Sequence, residues 1–164
     1  MIFYQTIAAH WKDLLTAFGI SMVPVFELRG GIVYAAVRGV PFALAFAVCL
    51  LGNLLPVPFI LLFLRRVFHF LERFGPTARI VKGMERRARR QGKKLEKWKL
   101  FGLFVLVAIP LPGTGAWTGA LVAEVFDIRM KKALPVIALG VLTAGLIMVI
   151  LSYLIPGLFF SALR

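Results

Sequence analysis

Two unbroken apolar stretches of the chain are long enough to cross a membrane. Residues 42–64 and 133–155 contain no charged side chain. A helix of this length rises about 35 Å, and the hydrocarbon core of a bilayer is about 30 Å thick. Pro56 and Pro58 lie inside the first stretch and predict a kink there. The pattern therefore predicts two transmembrane helices, the first of them bent.

Two further apolar stretches are interrupted near their middle. Residues 14–37 are broken at Pro24 and at 27–31 (Glu-Leu-Arg-Gly-Gly), and residues 100–126 are broken at 110–117 (Pro-Leu-Pro-Gly-Thr-Gly-Ala-Trp). The arms are short, with about 13 residues or roughly 20 Å in the first, which is too little to cross a bilayer. Irregular backbone survives at membrane depth only where it lines a cavity or is buried in protein. Matched breaks of this kind point to a transporter's substrate site.

The two halves of the chain repeat the same order of elements: interrupted stretch, short loop, full span. Pro24 matches Pro110 at a shift of 86 residues, and the Leu-Gly pair ending at Gly52 matches the pair ending at Gly140 at a shift of 88. We therefore predict one membrane domain over residues 1–164 with two repeats. Its predicted parts are an interfacial helix (1–13), the first repeat (14–64), a basic linker (65–99) and the second repeat (100–164).

Composition and charge support this class. The chain is 60% hydrophobic with a mean hydropathy of +0.89, which is too apolar for a soluble domain. Thirteen of its 20 Lys and Arg residues lie in 65–99, so a net charge of +13 reflects one polar segment. We expect residues 77–99 to form a basic helix on anionic lipid headgroups rather than to bind nucleic acid. The single Cys49 and the lack of metal-ligand spacing predict no disulfide, metal, cofactor or enzymatic activity.

The positive-inside rule separates two topologies. If each interrupted stretch crosses the membrane, the chain has four spans, and the basic loop at 129–132 faces the side opposite the linker. If each stretch folds back as a re-entrant hairpin, the linker and this loop share the cytoplasmic side. The second arrangement places 16 of the 20 basic residues in the cytoplasm. We therefore predict an all-α polytopic protein of the plasma or inner membrane, an inverted repeat of re-entrant helical hairpin plus transmembrane helix.

Glu27 and Arg29 are the candidates for chemistry in the first break. A charge at the bilayer centre costs at least about 2.5–3.5 kcal/mol, so such residues are usually functional. Burial disfavours the ionised carboxylate, whereas a neighbouring guanidinium favours it. A carboxyl group balanced in this way can bind and release protons, which makes Glu27 the candidate for proton coupling. The alternative is a Glu27–Arg29 bridge that only staples the tip.

The second break carries no charge, but its residues suit an anion. Pro110 and Pro112 end the first arm, and Gly113 and Gly115 permit tight turns. A helix that begins near residue 116 would present free N–H groups, as would one that begins near Gly31. The alternative is a plain helix-breaking turn. The predicted substrate-binding residues are Arg29, Gly30, Gly31, Gly113, Thr114, Gly115 and Trp117. Asn53, alone in the first span, is expected to hydrogen bond across helices.

Residues 27–31 and 109–117 resemble the two signature segments of the small multidrug export protein family. That family resembles the DedA (VTT-domain) superfamily, whose members have re-entrant hairpins and are associated with proton-dependent flipping of lipid carriers such as undecaprenyl phosphate. The resemblance implies transport. The chain departs from the DedA pattern because only one of its two breaks contains an acidic residue. It is also short, so we expect a homo-oligomer, in the simplest case a homodimer, to shield the hairpins.

The sequence thus predicts a proton-coupled secondary transporter of an amphipathic anion, possible examples being lipid phosphates. Two other functions stay open at this point. One is efflux of lipophilic cations, with Glu27 as their counter-ion. The other is a membrane interaction protein that transports nothing and binds a cytoplasmic partner through its basic segment.

Overall fold

The regular elements of the chain are helices. The computed structural model describes residues 2–71, 97–111 and 113–155, and within these ranges the expected all-α class is confirmed. The basic helix expected at 77–99 lies almost wholly outside the described residues. The helices are α1 (Ile2–Met22), α2 (Glu27–Val37), α3 (Phe42–Leu54), α4 (Val57–Leu71), α5 (97–108), α6 (Ala116–Val125) and α7 (Met130–Val149), which ends in a π-helical turn (Ile150–Leu154).

Two helical spans are long and apolar enough to cross a membrane. The first, Phe42–Val67, combines α3 and α4, and the second, Met130–Leu154, combines α7 and its π-helical turn. The predicted kink of the first span is confirmed, because α3 ends at Leu54 and α4 begins at Val57. Pro56 has no backbone N–H to continue the helical hydrogen bonds, which explains the interruption at this point.

The first interrupted stretch folds into an antiparallel hairpin. α1 and α2 pack side by side, and Asp13 ties their open end by accepting hydrogen bonds from Arg38 Nε (2.8 Å) and the Tyr34 hydroxyl (3.2 Å). The bond from Arg38 holds the pKa of Asp13 below its ordinary value. α1 runs through residue 13 without interruption. The segment expected as a separate interfacial helix is therefore continuous with the first arm, and its position at the interface stays a prediction.

The position of the first break differs from the one expected. We predicted breaks at Pro24 and at 27–31. The first is confirmed, because the chain is irregular at 23–26, but the second is wrong, because the chain is helical from Glu27 onward. The two glycines serve helix packing instead of a turn. A Cβ on Gly31 would lie 2.8 Å from both the Ala17 carbonyl oxygen and Cys49 Sγ. Only a residue without a side chain lets α2 approach α1 and α3 this closely.

Gly31→Ala is expected to destabilise the protein by about 1–3 kcal/mol, the usual effect of overpacking a tight core. The backbone carbonyl of Ala17 cannot move aside without separating the two arms. Gly19→Ala in α1 is the matched control, because its Cβ would meet nothing within 4 Å. That substitution should stabilise the helix by roughly 0.5–1 kcal/mol. Melting temperatures in detergent measure both changes, and equal shifts would contradict the packing role of Gly31.

The second interrupted stretch also forms a hairpin, from α5 and α6. A Cβ on Gly119 would lie 2.6 Å from Val107 Cγ2, so the two arms are in close contact. At the open end, Lys99 Nζ donates to the Phe126 carbonyl oxygen at 3.0 Å. The predicted break is confirmed here, since residues 109–111 and 113–115 are irregular and a helix begins at Ala116.

The second arm of each hairpin ends in the same kind of turn, and the two turns are 88 residues apart in the sequence. α2 ends at Val37 and α6 at Val125. In the first turn Gly39 has φ +72° and Val40 N–H bonds to the Ala35 carbonyl oxygen (3.0 Å). In the second, Asp127 has φ +50° and Ile128 N–H bonds to the Ala123 carbonyl oxygen (2.7 Å). The next helices, α3 and α7, also begin 88 residues apart.

The two spans run antiparallel through the middle of the molecule. Gly145 of α7 packs against Phe46 of α3 and Leu28 of α2. The Tyr153 hydroxyl donates to the Val40 carbonyl oxygen at 2.9 Å, which joins the end of the second span to the start of the first. The start of α7 and the end of α4 consequently lie at the opposite end of the bundle. Small residues at the crossings let α2, α3 and α7 form a common core with both hairpin tips.

Candidate functional site

The tips of the two hairpins meet, and Arg29 makes most of the contact. From the first turn of α2 its guanidinium donates to the carbonyl oxygens of Leu111, Thr114 (2.7 Å) and Ile109 (3.1 Å), and to Thr114 Oγ1 (2.9 Å). These carbonyls lie in the segment that follows the end of α5, where the Ile109 and Leu111 oxygens also accept the backbone N–H groups of Leu111 (2.9 Å) and Thr114 (3.2 Å). A cation is favourable at this negative end of the helix dipole. Arg29 therefore caps the first arm of the other hairpin.

Glu27 caps the opposite end of the same break. Its Oε1 accepts a hydrogen bond from the Trp117 backbone N–H at 3.1 Å, and the N–H of Ala116 also faces the carboxylate. Both donors belong to the first turn of α6, the positive end of that helix. The residue is 4% exposed. We predicted that this helix N-terminus binds an anionic group of a substrate. In this structure the Glu27 carboxylate of the protein itself lies there, and binding of a substrate stays a prediction.

Trp117 of the second hairpin makes a hydrogen bond to the first hairpin. Its indole Nε1–H donates to the carbonyl oxygen of Met22, the last residue of α1, at 3.2 Å. Trp117 and Arg29 are 88 residues apart, the spacing that relates the ends of α6 and α2. Each of the two residues therefore caps the end of the first arm in the opposite hairpin. Glu27 and Arg29 bind different parts of the second tip, so the expected staple joins two hairpins rather than these two side chains.

Backbone geometry at the tips is unusual on both sides. Glu27 has φ +50°, a left-handed conformation that costs a residue with a side chain of the order of 1–3 kcal/mol. Gly115, 88 residues further on, has φ +135°. Such conformations persist where surrounding contacts hold them, and they concentrate at functional sites. Here the conformation directs the Glu27 carboxylate at α6.

The absence of a side chain at Gly115 leaves space for the Glu27 carboxylate. A Cβ at this position would overlap Glu27 Oε2, and it would lie 2.9 Å from Oε1. Gly113, in the same tip, also has a positive φ of +83°, but a Cβ there would meet nothing within 4 Å. The two glycines that we grouped by sequence therefore differ. One permits a turn, and the other permits a turn and the close approach of Glu27.

A small cavity adjoins the carboxylate. It has a volume of about 10 Å³, close to what a single water molecule needs. Its lining combines residues from both halves, among them the pair Glu27 and Gly115 and the pair Asn53 and Val141. Each pair is 88 residues apart. Asn53 is 2% exposed, and its Oδ1 has no hydrogen-bond partner, so the cross-helix bond that we expected is not made by this oxygen.

The other predicted site residues are placed around this arrangement. Thr114 accepts from Arg29 and donates its hydroxyl hydrogen to the carbonyl of Ile109 (2.8 Å) or Leu111 (2.9 Å). Gly30 lies within α2, and its N–H bonds to the Phe26 carbonyl oxygen at 2.9 Å. The helix thus begins before Gly31, so the free N–H groups that we expected near Gly30 and Gly31 are not found at the start of a helix there.

Sequence reasoning missed two features of the site. It did not identify the carbonyl groups at the end of α5 as partners of Arg29, because a run of residues does not reveal which helix end faces which side chain. It also treated Asn53 as an ordinary polar contact. The spacing of 88 residues offers a signal for this residue, since the second half has Val141 at the matching position. Within the described ranges, no three His, Cys, Asp or Glu side chains gather as metal ligands would.

These observations define a helical membrane protein with a buried polar site between two hairpin tips. Two of its helical spans are long and apolar enough to cross a membrane, and only 28% and 33% of their most apolar windows are buried, as expected of helices that face lipid.

Comparison with known proteins supplies the family. The family model described as "Putative small multi-drug export protein" matches residues 27–147, which begin at Glu27 and include Arg29 and the whole second tip. The chain belongs to this family, as the resemblance of its two signature segments implied. No curated protein and no solved structure matches it.

Proposed function

We propose that this protein is a proton-coupled secondary transporter of an amphipathic anion, with its site between the two hairpin tips. The observation that carries the proposal is the buried Glu27 carboxylate on the N-terminus of α6. An ionised carboxylate satisfies the free N–H groups there. When Glu27 is protonated, its attraction to these groups weakens, and they become available to an anionic group of a substrate. Proton binding and anion binding are then linked through the same donors.

The proposed anion is amphipathic because the surroundings of the tips are apolar. Val25 and Phe26 of the first tip are 83% and 58% exposed, and Leu111 of the second is 55% exposed. A phosphate or carboxylate could replace Glu27 on α6 while its hydrocarbon part lies along these side chains. A lipid phosphate has both parts. Arg29 and Thr114 border the same donors and would assist by presenting a guanidinium and a hydroxyl group.

We further propose that the hairpins are re-entrant and enter from opposite sides of the membrane. The matched turns after α2 and α6 support this inverted repeat, as do the equal spacing of Gly31 and Gly119 and the antiparallel spans. The basic loop at 129–132 begins the second span and the Arg65 region ends the first, so antiparallel spans put both at one end of the bundle. Positive charge at one end favours the cytoplasmic side for that end.

Cysteine labelling is expected to report this topology. In a background without Cys49, cysteines at Gly92 and Lys131 should react with an impermeant reagent only from the cytoplasm. A cysteine at Val37, which is 82% exposed at the open end of the first hairpin, should react only from outside. Reaction of Gly92 and Lys131 variants from opposite faces would contradict the inverted repeat and restore four spans.

The proposal extends to the surroundings of the protein. A homodimer in the plasma or inner membrane would cover the exposed apolar side chains of the short hairpins. The segment at 77–99, with most of the basic residues, would bind anionic lipid headgroups on the cytoplasmic face at roughly 1 kcal/mol for each well-placed cation.

The family description favours a second candidate, export of lipophilic cations. In that case Glu27 would pair with the cation and a proton would replace it. Purified protein in proteoliposomes, with an imposed pH gradient, separates the candidates. The probes are a fluorescent alkyl phosphate and tetraphenylphosphonium, measured against protein-free vesicles. Flux of the phosphate alone supports the first proposal, flux of the cation alone supports the second, and flux of neither favours a membrane interaction protein.

A further inference from the structure

A buried amide oxygen without a partner belongs to a residue that lines the same cavity as the proposed proton carrier. This oxygen is Asn53 Oδ1 of α3; the residue is 2% exposed, and the cavity that it lines also borders Glu27, which is 4% exposed. An unsatisfied buried acceptor costs free energy, because the oxygen has given up its hydrogen bonds to water and gained none in return. Native proteins keep few such groups, and each calls for an explanation. The neighbour that could satisfy this oxygen is a hydrogen-bond donor inside the cavity.

Ionised Glu27 is no such donor, because a carboxylate has only acceptor oxygens. Its protonated form carries one O–H. We propose that Asn53 is a positioning residue for protonated Glu27, with its Oδ1 accepting the carboxyl hydrogen bond directly or through one water molecule in the cavity. This proposal rests on the proton-carrying role of Glu27. It assigns the two forms of that residue to different partners, the N–H groups of α6 for the anion and Asn53 for the acid.

Size and charge favour a proton rather than a metal cation at this place. The cavity holds about one water molecule, and the positive end of α6 and the Arg29 guanidinium both border it. A bound monovalent cation would meet unfavourable electrostatics from both groups. A neutral carboxylic acid does not. Transfer of the carboxyl from α6 toward Asn53 would leave the helix N-terminus free for the substrate anion.

Few other groups near Glu27 change their protonation between pH 5 and 8. Arg29 is the neighbouring charge and stays protonated at any physiological pH. The thiol of Cys49 and the phenol of Tyr153 belong to residue types that ordinarily titrate above pH 8. Among the side chains that the structure describes, the titratable or charged groups at α2, on the elements packed against it and around the second tip are His10, Lys12 and Asp13 on α1, Tyr34 and Arg38 at α2, Cys49 on α3, Arg65 and Arg66 on α4, Lys97 and Lys99 on α5, Glu124 on α6, Lys131 and Lys132 on α7, and Tyr153 after it.

The second half of the chain supplies the matched variants for a test. Val141, 88 residues after Asn53, lines the same cavity, so valine is a side chain that this environment accommodates. Asn53→Val removes the acceptor. Asn53→Thr has nearly the same shape as valine but keeps an oxygen that can accept the hydrogen bond. The two variants therefore differ in chemistry more than in packing.

Infrared spectroscopy of the protein in lipid vesicles tests the proposal without any substrate, because it reports the protonation of Glu27. The carbonyl stretch of protonated Glu27 is the pH-dependent carboxyl band that disappears in Glu27→Gln. A hydrogen bond to Asn53 favours the acid form, so its loss in Asn53→Val should move the midpoint of this band toward lower pH. The expected shift is roughly half to one pH unit, corresponding to one neutral hydrogen bond. Asn53→Thr should restore most of the midpoint.

Each outcome decides one proposal. A Glu27 band with the same midpoint in the wild type, Asn53→Val and Asn53→Thr overturns the role of Asn53 and leaves Glu27 as the proton carrier. A midpoint that moves to higher pH in Asn53→Val also overturns it, because the amide would then donate to the carboxylate. If no pH-dependent band disappears in Glu27→Gln, the proposed function fails together with this inference.

Discussion

Glu27→Gln is expected to abolish pH-driven transport. The flux driven by a pH gradient should then equal the flux in protein-free vesicles. Glutamine keeps the length and shape of the side chain and can still accept from the Trp117 N–H, but it has no proton to exchange. Flux of the preferred probe, measured from about pH 5 to 8, should therefore become independent of pH. The wild type should transport faster when the pH gradient can protonate Glu27 from one side.

Asp127→Asn is the control for this experiment. Asp127 is an exposed carboxylate that ends α6 with φ +50°, a conformation that asparagine adopts readily. This variant should keep the wild-type pH profile. Thermal stability is measured in parallel, because a Glu27→Gln protein that melts far below the wild type would mean that the residue chiefly joins the hairpins. A stable Glu27→Gln protein with an unchanged pH profile would reject proton coupling through this residue.

Gly115→Ala is expected to destabilise the protein by roughly 2.5–6 kcal/mol. Gly115 has φ +135° and ψ −161°, a conformation essentially restricted to glycine, and a side chain there costs of the order of 1–3 kcal/mol. The added methyl group also occupies the position of the Glu27 carboxylate, and loss of that charged hydrogen bond costs about 1.5–3 kcal/mol. Gly113→Ala adds a side chain at a positive φ of +83° but without the overlap, so it should be destabilised by only about 1–2 kcal/mol.

A double-mutant cycle ties this effect to the carboxylate. In a Glu27→Ala background the Gly115→Ala substitution no longer displaces a carboxylate, so its remaining effect should fall to the backbone cost of about 1–3 kcal/mol. Melting temperature and denaturant midpoint in detergent supply the measurement. Equal destabilisation by the two glycine substitutions in the wild-type background would show that Glu27 does not depend on the space at Gly115.

The reciprocal capping of the tips changes what a substrate must do at this site. In a site of free donors, an anion would bind without displacing any group of the protein. Here the donors of α6 hold Glu27, and the guanidinium of Arg29 holds carbonyl groups of the second tip. A ligand must therefore exchange with groups of the protein itself. Under the proposed function, this exchange would give protonation of Glu27 a direct effect on binding, and the contact between the hairpins would be part of the transport cycle.

Much of the architecture could be predicted from the sequence. The membrane helix at 42–64 could be predicted because a run of 23 residues without charge has few other possible structures. Its kink follows from the missing N–H of Pro56, and the second break from two prolines and two glycines within six residues. The spacing of 86 to 88 residues between Pro24 and Pro110 or Gly52 and Gly140 is also visible in the sequence. These features are local, so the residues that cause them are neighbours in the chain.

The chemistry of the site was decided only by the tertiary structure. The sequence identified Glu27 and Arg29 as exceptional but gave no means of choosing between a bridge within one tip and contacts to the other. Their partners lie about 80 to 90 residues away, and only the meeting of two hairpins brings the carbonyl groups that follow one helix and the free N–H groups that begin another within reach of these two side chains. Glycine shows the same limit. Gly31 and Gly115 both belong to Gly-containing breaks in the sequence, yet one packs helices together and the other makes room for a carboxylate, because the role of an absent side chain is set by what surrounds it in space.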